Sequence, residues 1–283
     1  MSKKVIGYFS NWINLEDVKN KYEGYTDILF AFWQDPNTGM VGAAEAVTKT
    51  PEIISFLKNK NKKCILAAGG ANLAPLHFVA KDFGTELANF AIQYGFDGVD
   101  LDIENLTTPP TQEEINWLVE ATKAVKKVNK NLLISHAPQA TYFTNNGGYS
   151  LVEKGTGGAI DYYNIQYYNQ GSWGYQTYSN YDDIFTIMYE NQVNETSIPS
   201  IIKQGVPANK LMVGKPITIQ DLGSPKSTGY IPLEGLTKII NQALENKIPF
   251  GGVMGWKIDS DKNGHWGKTM KQTLSNKKVP VKI

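Results

Sequence analysis

Eight short apolar, β-branched runs recur along this chain, separated by longer amphipathic stretches, and that alternation constrains its fold more than any other feature. The runs are Val5–Phe9, Ile28–Trp33, Cys64–Ala68, Gly98–Ile103, Leu132–His136, Tyr162–Tyr168, Leu211–Ile217 and Phe250–Trp256. Each is almost continuously apolar, as strands are when helices cover the outer face of a sheet. Between them the periodicity predicts helices over Leu15–Lys21, Pro51–Lys60, Glu86–Tyr94, Thr111–Lys127, Asp182–Asn191, Leu233–Asn246 and Trp266–Leu274. Thr111 opens its helix with Thr-Gln-Glu-Glu after Pro110, which predicts a capping box. Thr141–Ile160, rich in Gly and Asn with a weak helical centre near Leu151, reads as mostly loop. Strands alternating with helices make a parallel sheet, and eight units in 283 residues fit a closed α/β barrel, the (β/α)8 or TIM barrel. An open doubly wound sheet is disfavoured because no Gly-x-Gly-x-x-Gly follows the first run. One catalytic-sized domain spanning residues 1–283 is expected.

Composition narrows the partners. Apolar residues make up 41% and charged residues 19%, enough for a sizeable core. With 28 Lys+Arg against 27 Asp+Glu and no basic stripe, nucleic acid is not an expected partner. Cys64 is the only cysteine and the three histidines are scattered, so no disulfide, metal or cofactor is expected. No segment is long enough to span a membrane, and Val5–Phe9 is too short for the apolar core of a signal peptide. The expectation is a monomer, extracellular only if an export signal has been removed.

In a barrel of this kind chemistry gathers at the C-terminal ends of the strands. The fourth run reads Asp97-Gly98-Val99-Asp100-Leu101-Asp102-Ile103-Glu104, and period-two alternation puts Asp100, Asp102 and Glu104 on one face. With apolar helices outside, that face is the interior, and Glu104 lies nearest the mouth. Neighbours in the row stand roughly 6–7 Å apart along the strand, close enough to repel strongly in a shielded site. The row is therefore expected to share protons and to raise at least one carboxyl into the range of a general acid. The ordinary fate of a lone Asp or Glu is a cap or a surface ion pair, yet three acids buried on one strand without purpose would be costly.

The motif Asp97-Gly98-Val99-Asp100-Leu101-Asp102-Ile103-Glu104 resembles the Asp-Gly-x-Asp-x-Asp-x-Glu signature of glycoside hydrolase family 18, the chitinases and related endoglycosidases. Gln166-Tyr167-Tyr168-Asn169 is similar to the family's sixth-strand motif and Gly252-Val253-Met254-Gly255-Trp256 to its eighth strand, so the resemblance runs from Val5 to about Trp256. It implies substrate-assisted hydrolysis, an exception to the two-carboxylate scheme. Glu104 would protonate the glycosidic oxygen while the substrate's 2-acetamido carbonyl attacks the anomeric carbon, giving an oxazolinium ion and retention. Asp102 would accept the acetamido N–H, with Asp100 behind it holding a shared proton. Tyr168 would donate to the acetamido oxygen, Asn169 and Gln166 would line the site, Trp256 would floor it, and Tyr8 would line the same subsite. The family often has a non-proline cis bond at the position of Ala31–Phe32.

Two departures stand out. The family's third-strand Ser-x-Gly-Gly is Ala67-Ala68-Gly69-Gly70 here, which removes a hydroxyl that often contacts the proton-sharing aspartate and leaves open how Asp97 and Asp100 are held. The link from Thr218 to Leu233 is too short for an α+β insertion domain, and Asn105 replaces a tyrosine that often follows the catalytic Glu. Both bring the chain nearer to small bacterial and plant class III chitinases, with a shallow groove and endo cleavage of chitin or chitooligosaccharides. The alternatives are an endo-β-N-acetylglucosaminidase acting on N-glycans and a non-catalytic chitin-binding lectin on the same barrel. His136 is either a cleft residue or a core histidine. Trp173, Tyr175 and Tyr178 are either sugar platforms or rim packing.

Overall fold

Alternation along the strands sorts their side chains into two separate clusters. On β1 (Lys4–Phe9) Ile6 and Tyr8 join one cluster, while Val5 and Phe9 join the other. The same division recurs on β3 (Lys63–Gly69), where Ile65 and Ala67 part from Cys64, Leu66 and Ala68. The smaller cluster fills a barrel and the larger lies between the barrel and its helices, as the pleat requires. The computed structural model describes residues 2–35, 37–71, 75–144, 148–171, 176–188 and 194–275.

The barrel continues through β2 (Asp27–Asp35), β4 (Gly98–Asp102), β5 (Leu133–His136), β6 (Tyr162–Gln166), β7 (Leu211–Pro216) and β8 (Gly252–Trp256). Each strand pairs in parallel with its neighbours in sequence, and β8 closes on β1 from Lys4↔Gly252 to Tyr8↔Trp256. The fold is thus the (β/α)8 barrel expected from the sequence, extended by a two-residue antiparallel strand, Gly39–Met40, against the end of β2. Pro216 leads through a short 3₁₀ turn at Ile219–Asp221 to the helix at Leu233, with no insertion domain between them.

Around the strands lie α1 (Leu15–Lys21), α2 (Gly42–Lys49), α3 (Glu52–Asn59), α4 (Ala80–Gln93), α5 (Gln112–Val128), α6 (Tyr149–Thr156), α7 (Tyr181–Phe185), α8 (Ile198–Lys203), α9 (Leu233–Glu245) and α10 (His265–Leu274). The capping box forms: Thr111 Oγ1 accepts from the Glu114 N–H at 3.2 Å, and Glu114 Oε2 accepts from the Thr111 N–H at 2.6 Å. Among the described residues no helix is long and apolar enough to cross a membrane.

Four stretches differ from the expectation. Thr141–Ile160 is not mostly loop: a 3₁₀ turn covers Ala140–Phe143 and α6 follows, bounded by Gly148 at φ 49° and by Gly157 in the left-handed conformation. Gly148 and Gly157 mark the ends of a helix rather than filling a loop. The helix expected over Asp182–Asn191 is reduced to Tyr181–Phe185, and residues 189–193 lie outside the described residues. Helices α2 and α8 went unread, α8 because six residues with Pro199 in the first turn make too little periodicity to detect.

Candidate active site

At the C-terminal mouth the inward residues of β1, β4, β5 and β6 stop being apolar and form a polar network. Asp100, fully buried, is its hub. Its Oδ2 accepts from the Tyr8 hydroxyl at 2.8 Å, and its Oδ1 accepts from Ser135 Oγ at 2.5 Å and Asn164 Nδ2 at 3.4 Å. Asn164 Nδ2 also donates to the Tyr8 hydroxyl at 3.0 Å. One layer nearer the mouth, Asp102 Oδ1 accepts from Gln166 Nε2 at 3.0 Å, and the same amide nitrogen reaches the Ala137 carbonyl at 3.0 Å. Glu104, two residues beyond the end of β4 and half-buried, shares a hydrogen bond with Asp102 and takes others from Gln139 and Gln166.

The row of acids carries protons because of where it sits. Burial pushes Asp100 up to about 6, against the three hydrogen bonds that favour its charged form. Asp102 is driven well above the usual carboxylate range by burial, then by the charges of Glu104 and Asp100. Burial also raises Glu104, opposed by the hydrogen bonds it accepts. Two adjacent carboxyl groups with both affinities raised share a proton more readily than either would hold one alone. Such a pair is able to donate that proton to an oxygen in the mouth and to recover it later.

The remaining expected residues divide. Tyr168 lies in the barrel cluster with Tyr8, Ala137 and Met254, and the charges of Glu104 and Asp102 act on its hydroxyl. Trp256, partly exposed at the end of β8, meets Tyr8 edge-on with ring centroids 5.6 Å apart and Phe32 at 6.1 Å. The Ala31–Phe32 peptide is cis. Asn169 does not join the network: it is exposed, and its Oδ1 accepts the Gly223 N–H at 2.8 Å, tying down the loop after β7. Asp97 lies at the opposite end of β4, where it accepts the Cys64 N–H at 2.9 Å and faces Lys58 and Lys63 at 3.7 and 3.6 Å. It fastens β4 to β3 and takes no part in the mouth.

His136 is a core histidine. It points outward, with Nε2 3.0 Å from Thr122 Oγ1 and Nδ1 3.0 Å from the Tyr149 hydroxyl. Thr122 already donates to the Leu118 carbonyl, so Nε2 carries the ring proton and Nδ1 accepts from Tyr149. Burial lowers its pKa to about 3, which keeps the ring neutral. Tyr178 is fully buried on the rim, whereas Trp173 and Tyr175 lie outside the described residues.

Four residues of the network were not predicted. Ser135 and Asn164 occupy inward positions of β5 and β6, so the alternation that picked out Asp100 also marks them. Gln139 bridges to Gln166 just past β5. Tyr142, in the stretch expected to be mostly loop, donates its hydroxyl to the Glu104 carbonyl and accepts the Leu106 N–H at 3.4 Å, gripping the main chain on both sides of Asn105, directly after the acid. Gly69, at φ 107°, completes the mouth: a Cβ there would stand 2.1 Å from the Asp102 carbonyl oxygen.

Comparison with known proteins agrees with this geometry. The sequence model of the Glycosyl hydrolases family 18 matches residues 4–272. A chitinase from Enterococcus faecalis is 24% identical over 92% of this chain and 82% of its own. Chitinase D from Niallia circulans is 27% identical over 60% of this chain, an overlap that spans 38% of that protein. Among solved structures, a GH18 chitinase from Pseudoalteromonas aurantia superposes with a TM-score of 0.76 at 25% identity, over 95% of this chain and 99% of that one. Human YKL-39, described as a pseudo-chitinase that retains chitooligosaccharide binding, shares the fold with a TM-score of 0.70 at 16% identity, over 97% and 100% of the two chains.

Proposed function

We propose an endo-acting chitinase, on the premise that this chain belongs to family 18 of the glycosyl hydrolases. The observation that carries the reading is the Asp102–Glu104 pair: two hydrogen-bonded carboxyl groups, both raised by burial, at the mouth of the barrel beside Tyr168. A barrel that had kept only sugar binding would not need a proton donor held in that state. Glu104 gives its proton to the glycosidic oxygen as the C1–O bond breaks, and the substrate's acetamido carbonyl oxygen closes on C1 to form the oxazolinium ion. Asp102 accepts the acetamido N–H and balances the positive charge, while Tyr168 orients the acetamido oxygen. Water then attacks C1 and displaces the acetamido oxygen, which reopens the ring to the free acetamido group, and loses its proton to Glu104, leaving the anomeric configuration retained. The short link between β7 and α9 supports a shallow groove that admits internal bonds of the polymer.

The test compares the wild type with Glu104→Gln on N-acetylglucosamine pentamer and hexamer, beside a high-mannose glycoprotein, with products read by mass spectrometry. Internal cleavage of the oligomers that disappears in the variant is the expected result. Glycan release from the glycoprotein alone would transfer the site to an endo-β-N-acetylglucosaminidase. Oligomers bound but left intact by the wild type would mean a lectin.

A further inference from the structure

The outward positions of β7 read Leu211, Val213 and then Lys215, where the period-two pattern calls for a third apolar side chain. Lys215 is nonetheless fully buried. Its ammonium donates to three backbone carbonyls, those of Tyr167 at 2.7 Å, Gly229 at 3.0 Å and Tyr178. An ammonium has three protons, so all of its donors are used, which is how the charge is tolerated at this depth. Asp183 acts on it from a distance, but that carboxylate is engaged by Thr177 N–H at 3.0 Å, Thr177 Oγ1 at 3.1 Å and Ser179 N–H at 3.2 Å.

The three carbonyls come from three separate stretches: the end of β6, the segment leading into α7, and the segment between β7 and α9. Residues 177–179 are held from both sides, the Thr177 and Ser179 N–H groups on Asp183 and the Tyr178 carbonyl on Lys215. On the other side the Asn169 N–H donates to the Thr228 carbonyl at 3.0 Å, and Thr228 Oγ1 donates to the Gly171 carbonyl at 2.6 Å. Gly229, at φ 97°, lies against the Tyr167–Tyr168 peptide so closely that a Cβ would stand 2.5 Å from the Tyr167 carbonyl oxygen. Tyr168 therefore sits between two pinned groups, the carbonyl before it and the N–H after it.

We propose that Lys215 is a positioning residue of the cleft: its ammonium ties the carbonyl before Tyr168 to the Tyr178 and Gly229 segments, the second of which holds the N–H after Tyr168 through Thr228, and so aims the Tyr168 hydroxyl into the mouth. The step from that aim to reaction rate rests on the chitinase reading; the lock itself does not. The experiment has a kinetic and a structural arm. Lys215→Met keeps the bulk and removes the charge, and Lys215→Ala leaves a space that methylammonium fits. On chitohexaose, kcat is expected to fall at least tenfold in both with a smaller change in KM, and added methylammonium is expected to restore Lys215→Ala but not Lys215→Met. Combining Lys215→Met with Tyr168→Phe should cost no more than Tyr168→Phe alone. Unchanged kinetics, or two effects that multiply, would overturn the proposal.

The structural arm is amide hydrogen exchange. In the wild type the Asn169, Thr177 and Ser179 amides should exchange as slowly as those of the barrel strands, and in Lys215→Met at least tenfold faster. Exchange at the rate of an open loop in the wild type would refute the lock even if neither variant folds. A wild type that leaves chitohexaose intact while keeping this protection would refute the chitinase reading and leave the lock standing.

Discussion

Replacing Asp100 by Asn removes one titration from the interior while preserving the volume and one acceptor oxygen at the hub of the network. In the folded chain burial pushes this carboxyl up to about 6, whereas an unfolded chain titrates it near ~3.9. The difference of about 2 units is worth about 3 kcal/mol, at ~1.4 kcal/mol per unit. Its sign follows from linkage. The folded state binds this proton more tightly, so the stabilisation is fully present below about pH 4 and is lost as pH rises through 6. The Asn variant has no such loss. Its stability relative to the wild type should therefore improve by about 3 kcal/mol between about pH 4 and about pH 7.5, whatever the absolute cost of the substitution. For a chain of this size that corresponds to roughly 6–12 °C in the difference between the two Tm values. Thermal unfolding of both proteins at half-unit pH steps measures it; the Glu104 titration is common to both, and loss of the Asp100 charge that helps raise Asp102 changes the difference in the same direction. Parallel curves over this range would show that burial does not govern Asp100.

Two further substitutions probe the same network. Ser135→Ala removes the 2.5 Å hydrogen bond that favours ionised Asp100, so the window of pH-dependent stability should move upward by on the order of one unit, read from the same unfolding series. Tyr142→Phe frees the main chain that directly follows Glu104, so kcat on chitohexaose should fall about tenfold or more with little change in KM; an unchanged kcat would mean that Glu104 is held in place without it.

Where one physical rule dominates, the chain is legible. Period-two alternation alone places Asp100 and Asp102 inside the barrel, separates Ile6 and Tyr8 from Val5 and Phe9, and would have found Ser135 and Asn164 had it been carried through β5 and β6. Thr111 and Glu114 announce the start of α5 because a capping box is local chemistry, complete within four residues. What stays hidden depends on contacts between distant segments. Tyr142 reaches Glu104 across 38 residues, and nothing near it in sequence marks its hydroxyl as a support for the acid. Asn169 sits in the motif expected to touch sugar, and nothing in that motif announces that its Oδ1 also accepts the N–H of Gly223, a partner 54 residues away. Lys215 breaks an apolar pattern, but the carbonyls that accept its protons are assembled only by the fold.

The missing hydroxyl at Ala67 shows how the barrel absorbs such a change. Parallel register puts Ala67 beside Asp100 on one side and Ser135 beside it on the other, at the same level of the interior. Either neighbour can present an oxygen to the same carboxylate, so the loss on β3 is made good on β5, where Ser135 donates to Asp100 at 2.5 Å. Asp97, the other acid left unsettled by that loss, is anchored at the far end of β4 and needs no hydroxyl from the mouth. The consequence is directional. Ser135 and Asn164 meet Oδ1 of Asp100 while Tyr8 meets Oδ2, so both oxygens are supplied from β1, β5 and β6 and none from β3. Restoring a serine at position 67 would add a further donor to a carboxylate that already has three, lowering its proton affinity below the present value of about 6, and the fuller negative charge on Asp100 would raise Asp102 further.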